Sequence, residues 1–377
     1  MSQEPIIVTR NKDVEHIVNA AANQGHYSAT KPKDPRFTLL CAADVHHSIT
    51  QLANMVDYLN ATDAIDAGIH LGDMQAGDYA QNDGTWYTNE VARAEKPFFS
   101  VVGNHDGGNS DKQEICGTVQ QVFDKFFAPV ADKAGIENLT TPYYAKNFDE
   151  YRVSVIVLNN YDNPDDRLEN GDFAVNRGFE AMRPEQIHWF VDTLREIPEG
   201  YHVIVARHAF EGYAVMEPCN WTQVNRGISP GDRGLLYSKE TNPIADIVDA
   251  WVRGGVLKRT YPVNEQYAEY FEDLTVDADF TERGPGNFVC HLLGHCHRDG
   301  IAHVKQYPNQ KIVSLASACS DGWQNYDSDL PRYPGTKAED CLTTLSVDPI
   351  NRNICLVRVG SNITNTMVDR TFIAIPY

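Results

Sequence analysis

Phe37-Thr38-Leu39-Leu40-Cys41-Ala42-Ala43-Asp44-Val45-His46 decides how the rest of the chain is read. Phe37 to Ala43 is a largely apolar run of strand length, as in a strand covered on both faces. It ends on two cation-binding side chains, Asp44 and His46, separated by one residue. An extended segment would turn both of them to the same face.

Working outward, Thr50 to Asn60 reads as a helix, Ile65 to Leu71 as a second strand, Trp86 to Ala94 as a helix and Pro97 to Val102 as a third strand. This alternation predicts a parallel sheet with right-handed crossovers. A helical stretch near Lys112 to Phe127 follows. Next comes a hairpin of Tyr143 to Asn147 and Arg152 to Leu158, turning at Asp149-Glu150. Pro184 to Ile197 has Pro near its first turn and Ile187, Phe190, Val191 and Leu194 at helical spacing. Tyr201 to Ala206 reads as a buried strand. Residues 211–286 form a turn-rich, aromatic insert with one helix, Pro243 to Val252. Beyond it, Asn287 to Leu293, Ile301 to Lys305, Lys311 to Ala316, Leu342 to Val347 and Ile354 to Val359 read as short strands. The expectation is one α/β domain over residues 36–377, with two sheets face to face and helices outside. Residues 1–35 are expected to be an extension, with a short helix around Asp13 to Asn23 and a Lys31-Pro32-Lys33-Asp34-Pro35 linker.

The chemistry-bearing residues stand where strands end. Asp44 and His46 follow the first strand and Gly72-Asp73 the second. Gly103-Asn104-His105-Asp106 follows the third, His208 a later one, and Gly294-His295-Cys296-His297 the strand ending near Leu293. Loops beyond the carboxyl ends of strands open on one side of an α/β sheet, so five distant loops would deliver these residues to one place. Two Asp, one Asn and four His beyond His105 make an O/N ligand set suited to Mn, Fe, Zn or Ni, without the thiolates of a structural zinc site. One carboxylate, Asp73, has two oxygens with which to bridge two ions. A pair of ions about 3.5–4 Å apart would clamp a phosphate and lower the pKa of a bridging water. His105 is placed to donate a proton or hydrogen bond to a departing alkoxide, and Asp106 to hold that imidazole in its useful tautomer. Glycines 72, 103 and 294 would let backbone pass close to an ion or phosphate. Arg207 is unusual so near His208 and is expected to turn away into a salt bridge. Cys296 is expected to point into the core, and His47 to face the surface or lie behind the ligands.

The ordered set Asp-x-His, Gly-Asp, Gly-Asn-His-Asp, a lone His and Gly-His-x-His resembles the calcineurin-like metallophosphoesterase superfamily, over roughly residues 37–304. The resemblance implies a four-layer α/β/β/α sandwich of two mixed sheets flanked by helices. It also implies two divalent metal ions, one held by Asp44, His46, Asp73 and His297, the other by Asp73, Asn104, His208 and His295. His105 would be the general acid or phosphate contact. The text Gly72-Asp73-Met74-Gln75-Ala76 lacks the Asp-Arg-Gly element of the protein Ser/Thr phosphatases. Ala76 stands where purple acid phosphatases carry a metal-binding Tyr.

The implied activity is phosphate-ester hydrolysis, with a phosphodiester slightly favoured over a monoester. The alternatives are a nuclease of the same superfamily and a non-catalytic metal-binding scaffold. A formal charge of −20 disfavours a nucleic-acid partner. Eight cysteines in 377 residues, two of them in strand-like segments, suggest reduced buried thiols. No apolar run approaches the ~20 residues of a membrane span. With no recognisable signal segment, the setting is expected to be cytoplasmic. Trp221, Arg226, Arg233, Tyr261 and Tyr267 of the insert are candidates for substrate contact. Oligomeric state is left open.

Overall fold

A computed structural model describes residues 36–222, 236–237, 242–319, 330–333, 335–336, 338–364 and 367–377. The expected extension at 1–35, with its helix and linker, lies outside the described residues, as do Arg226 and Arg233.

The first sheet holds β1 (Phe37–Ala42), β2 (Ala67–His70), β3 (Phe98–Ser100), β13 (Cys341–Asp348), β14 (Asn353–Gly360) and β15 (Phe372–Pro376), in the order β15-β14-β13-β1-β2-β3. β1, β2 and β3 run parallel, and β13 returns antiparallel to β1 with Leu39 opposite Leu345. The second sheet holds β4 (Tyr144–Phe148), β5 (Val153–Val157), β6 (His202–Ala206), β7 (Ala214–Met216), β10 (Asn287–Leu293), β11 (Gly300–Val304) and β12 (Tyr307–Ser314), in the order β4-β5-β6-β10-β12-β11-β7. β5, β6, β10 and β12 are parallel to one another. The described α-helices are α1 (Ile49–Ala61), α2 (Thr85–Ala92), α3 (Val119–Phe126), α4 (Pro184–Glu196) and α5 (Pro243–Arg253). The result is the expected four-layer α/β/β/α arrangement of two mixed sheets.

Alternation along the central strands explains the layers. Val155, Val157, Ile204 and Ala206 face the core shared with Leu39, Cys41 and Leu345, whereas Ile156, Leu158, Val203 and Val205 face Ile187, Phe190, Ile247 and Trp251. Both faces are dry, so these strands read as continuous apolar runs. Each Ile, Leu, Val or Phe buried this way stabilises the fold by about 1.5–3 kcal/mol.

The structure corrects three expectations. The helix expected near Lys112 begins only at Val119, where Thr118 caps it and Gln121 closes a capping box; Lys112 to Gly117 is turn. The insert is more regular than expected, since β8 (Val256–Tyr261) and β9 (Leu274–Asp279) pair antiparallel and pack on α4 and α5. β7 and β15 were not anticipated, being a three-residue and an exposed five-residue edge strand. All eight cysteines are free thiols, six of them buried, as expected. No helix among the described residues is long and apolar enough to cross a membrane.

Candidate metal centre

Loops after β1, β2 and β3 of the first sheet and after β6 and β10 of the second meet at the seam between the sheets. The first two loops continue their pairing past the strands: the backbone N–H groups of Asp44, His46 and His47 donate to the carbonyls of Gly72, Asp73 and Met74, each at 3.0 Å. In the second sheet Gly294 N–H donates to the His208 carbonyl at 3.1 Å.

Two groups of ligand atoms result, Asp44, His46, Asp73 and His297 in one and Asp73, His208 and His295 in the other, with all atoms of a group within 4.8 Å of one another. Asp73 is common to both. Its Oδ2 lies 3.7 Å from His46 Nε2 and 3.3 Å from His208 Nε2. Asn104 joins the second group, its Oδ1 being 3.2 Å from His208 Nε2 and 3.0 Å from His295 Nδ1. His297 Nε2 is 3.5 Å from Asp44 Oδ1 and 3.2 Å from His46 Nε2. The structure thus brings together all seven residues expected as ligands.

The backbone route to this convergence differs from expectation. Asp44 (φ 53°), His46 (φ 42°), Asp73 (φ 57°), His295 (φ 63°) and His297 (φ 54°) all adopt left-handed conformations, as does His47 (φ 68°). The two x-separated pairs converge through left-handed turns, not through extended alternation. Such conformations cost on the order of 1–3 kcal/mol each in non-glycine residues and persist where surrounding structure holds them.

Much of that holding falls to Asp106. Its carboxylate is fully buried and accepts from four backbone N–H groups: Gly103 at 2.7 Å and Asp73 at 3.1 Å on one oxygen, Met74 at 2.7 Å and Gln75 at 3.2 Å on the other. The expected role of orienting His105 is therefore corrected, since both oxygens are committed to the loops after β2 and β3. His105 Nδ1 has no hydrogen-bond partner and is backed by Gly77, where a Cβ would come within 2.7 Å of it. Gly103 serves close approach to Asp73 itself, leaving no room for a side chain.

The electrostatics call for a cation. Asp44 and Asp73 are fully buried carboxylates, and leaving such charges uncompensated costs heavily. Burial alone would push the His208 imidazole down, but Asp73 and then Asp44 beside it carry it up to about 10. A proton there and a metal ion are alternative answers to the same excess of negative charge. Burial takes His46 and His295 down to about 4, leaving neutral imidazoles, the form that ligates. His46 Nδ1 donates to the Gln75 carbonyl at 3.3 Å and His208 Nδ1 to the Leu71 carbonyl at 2.6 Å, which turns both Nε2 lone pairs inward. The donor set therefore fits a pair of divalent ions. The two carbonyls are contacts the sequence reading missed, because backbone acceptors leave no residue-type signal.

His105 differs from the enclosed imidazoles. Its side chain is 21% exposed, close to the 24% of His295 and unlike His46 and His208 at 0%, but it belongs to neither ligand group, and its Nε2 stands 4.0 Å from Asp73 Oδ2. His47 instead contacts Asn82 at 3.0 Å, and Cys296 packs into the cluster of Phe210 and Leu293. Arg207 turns away as expected, its Nη1 donating to Glu211 Oε2 at 2.6 Å. Among the insert candidates, Trp221 and Tyr261 are buried and Tyr267 packs on Phe179 at 4.2 Å, so all three serve packing.

Comparison with known proteins follows the same line. Residues 37–259 match the calcineurin-like phosphoesterase family. No curated protein matches the sequence. Solved structures that resemble the chain include a purple acid phosphatase from yellow lupin (Lupinus luteus) seeds, 11% identical with a TM-score of 0.47. That likeness covers 91% of this chain and 54% of the lupin enzyme, so the chain spans about half its length. A protein of Thermus thermophilus, TT1561, is 10% identical, with a TM-score of 0.39 and coverage of 85% of this chain and 98% of that one. The phosphopantetheinyl hydrolase of Mycobacterium tuberculosis is 14% identical, with a TM-score of 0.35 and coverage of 76% and 91%. On the family match, the chain belongs to the calcineurin-like phosphoesterases.

Proposed function

We propose that the chain hydrolyses phosphate esters at this centre, a phosphodiester in preference to a monoester. The observation that carries the reading is the Asp73 carboxylate, common to both ligand groups. In this reading Asp44, His46, Asp73 and His297 hold one ion, and Asp73, Asn104, His208 and His295 hold the other. Two such ions supply Lewis-acid charge for the phosphate and a water of lowered pKa.

The chain's own residues do the rest. The Gln75 and Leu71 carbonyls fix the tautomers of His46 and His208. Asp106 keeps the loops after β2 and β3 in register, so the donors need little reorganisation. His105, an imidazole outside both ligand groups and partly exposed, hydrogen-bonds the phosphate or protonates the leaving alkoxide. The preference for a diester is supported by the Gly103-Asn104-His105-Asp106 text, which resembles that of phosphodiesterases in the family. Residues 36–377 act as one unit in this reading. The insert at 211–286 selects the substrate because it runs between the loops carrying His208 and His295. The free thiols favour a reducing, intracellular setting.

The test is metal content by mass spectrometry, with turnover of bis-p-nitrophenyl phosphate and p-nitrophenyl phosphate, for wild type and Asp73→Asn. About two transition ions per chain and diester turnover, both lost in the variant, are expected. Faster monoester turnover would overturn the diester preference. No bound metal and no turnover after adding Mn or Zn would overturn the proposal.

A further inference from the structure

Behind His208 and His295 lies a buried polar group made of Tyr161, Glu180, Arg207 and Glu211. Tyr161 is 4% exposed, Glu180 3% and Arg207 0%. Arg207 spends Nη1 on Glu211, while its Nε and Nη2, like the Tyr161 hydroxyl, have no hydrogen-bond partner. Glu180 is the acid these groups share, since its charge acts on both Arg207 and Tyr161. It also neighbours the metal centre, with Oε1 lying 3.9 Å from His295 Nε2. The segment carrying it is pinned to the loop after β5, with Ala181 N–H donating to the Asn160 carbonyl at 2.7 Å and Asp162 N–H to the Ala181 carbonyl at 3.0 Å.

His295 is the odd imidazole of the centre. His46 and His208 turn Nε2 inward and give Nδ1–H to a backbone carbonyl. His295 is reversed: Nδ1 faces Asn104 Oδ1 at 3.0 Å, and Nε2 points to Glu180. A neutral imidazole carries one proton, so an inward lone pair on Nδ1 requires the hydrogen on Nε2, and that N–H needs an acceptor. At 3.9 Å the carboxylate is one bridging water, or a shift of about 1 Å, from that N–H.

We propose that Glu180 is a positioning residue that holds the Nε2–H of His295 and thereby selects Nδ1 as the ion-facing nitrogen. Arg207 supplies the counter-charge that lets a carboxylate stay buried at this point, which accounts for an arginine beside His208. The proposal rests on the two-ion reading above.

Titration with Co(II), followed by visible absorption and by ions retained after dialysis, tests it in wild type, Glu180→Gln and Glu180→Leu. Wild type is expected to hold two ions. Glu180→Leu is expected to keep one and to bind the other about 10–100-fold more weakly, with changed absorption bands. Glu180→Gln, which keeps an oxygen acceptor, is expected to recover much of the loss, a rescue that mere space-filling would not give. Both substitutions remove the charge that faces Arg207, so the metal-free variants are expected to lose thermal stability alike, and the rescue is read as the difference in ion binding between them. Two ions bound with unchanged affinity and spectrum in Glu180→Leu would overturn the assignment while leaving the two-ion reading standing. Loss of both ions together in both variants would also overturn it, since Glu180 would then support the fold at large. A wild type that binds no Co(II) would overturn the two-ion reading, and this inference with it.

Discussion

The first sheet brings Asp44, His46, Asp73 and Asn104 to the centre on loops zipped to one another through the backbone and held by the Asp106 carboxylate. The second sheet brings His208, His295 and His297, which reach the first through scattered contacts: His208 Nδ1 to the Leu71 carbonyl and Nε2 to Asn104, and His295 N–H to both oxygens of Asp44 at 3.1 Å. One half is a cradle that carries both carboxylates and the other a set of imidazoles that close over it. The charge of the centre is therefore decided in the first sheet, and its completeness by how well the second sheet packs against the first.

Four measurements break or sharpen that contrast. The largest effect is expected for Asp73→Asn, which removes the one carboxylate both halves share; turnover should fall by at least about 10⁴-fold, with both ions lost by mass spectrometry. A variant that kept one ion would show the two halves to be independent. His105→Ala is expected to lower kcat by about 10²–10⁴-fold while metal content stays near two, because its imidazole lies outside both ligand groups.

Asp106→Ala tests the cradle directly. Four buried N–H groups lose their acceptor, so urea denaturation should report a loss of about 3–5 kcal/mol. His208→Ala should cost less than this in the metal-free protein, and an equal cost would erase the difference between the halves.

The smallest effect, group for group, is a pH dependence found in both sheets. Burial takes His70 of β2 down to about 3 and His291 of β10 well below its ordinary value. Their folded pKa values lie below the unfolded value near 6.5, so as pH falls the unfolded chain takes up protons first. The stability these groups contribute is complete above about pH 6.5 and drains as pH falls below it, for His70 until about 3. By pH 5 the loss at His70 is about 2 kcal/mol; in the metal-free chain His46 and His295 add in the same direction, while His208, carried up to about 10, and Asp106, raised to about 7 by burial, act against them. Urea midpoints at pH 7.5 and 5.0 check this, and His291→Gln should flatten the second sheet's share.

The strand ends, and the residues beyond them, were legible because apolar runs of strand length stop abruptly at Ala42, His70, Ala206 and Leu293, and polar text follows each. What escaped reading was conformation and direction. Nothing in Asp44-Val45-His46 signals a left-handed turn, since that geometry is imposed by the paired loop at Gly72 to Met74. Asp106 was read through its sequence neighbour, yet a turn after Gly103 sends adjacent side chains to opposite sides, one to the centre and one into the loops. The β8–β9 hairpin was partly legible. Leu274-Thr275-Val276-Asp277-Ala278-Asp279 alternates buried and exposed at period two, but a surrounding crowd of aromatic and turn residues masked it. Glu180 had no signal at all, because its partner His295 is reached only through the fold.

The Asp106 cradle also bears on how the chain is made. Asp106 reaches back only 33 residues to Asp73, whereas His295 reaches back 191 to Asn104 and 251 to Asp44. At 5–20 residues per second, roughly 10–40 s of synthesis separate Asn104 from His295. Throughout that interval a growing chain carries the anionic half of its centre and none of the closing Gly-His-x-His loop. The order of translation thus puts Asp44, His46, Asp73 and Asn104 within reach of an ion before His208, His295 and His297 exist.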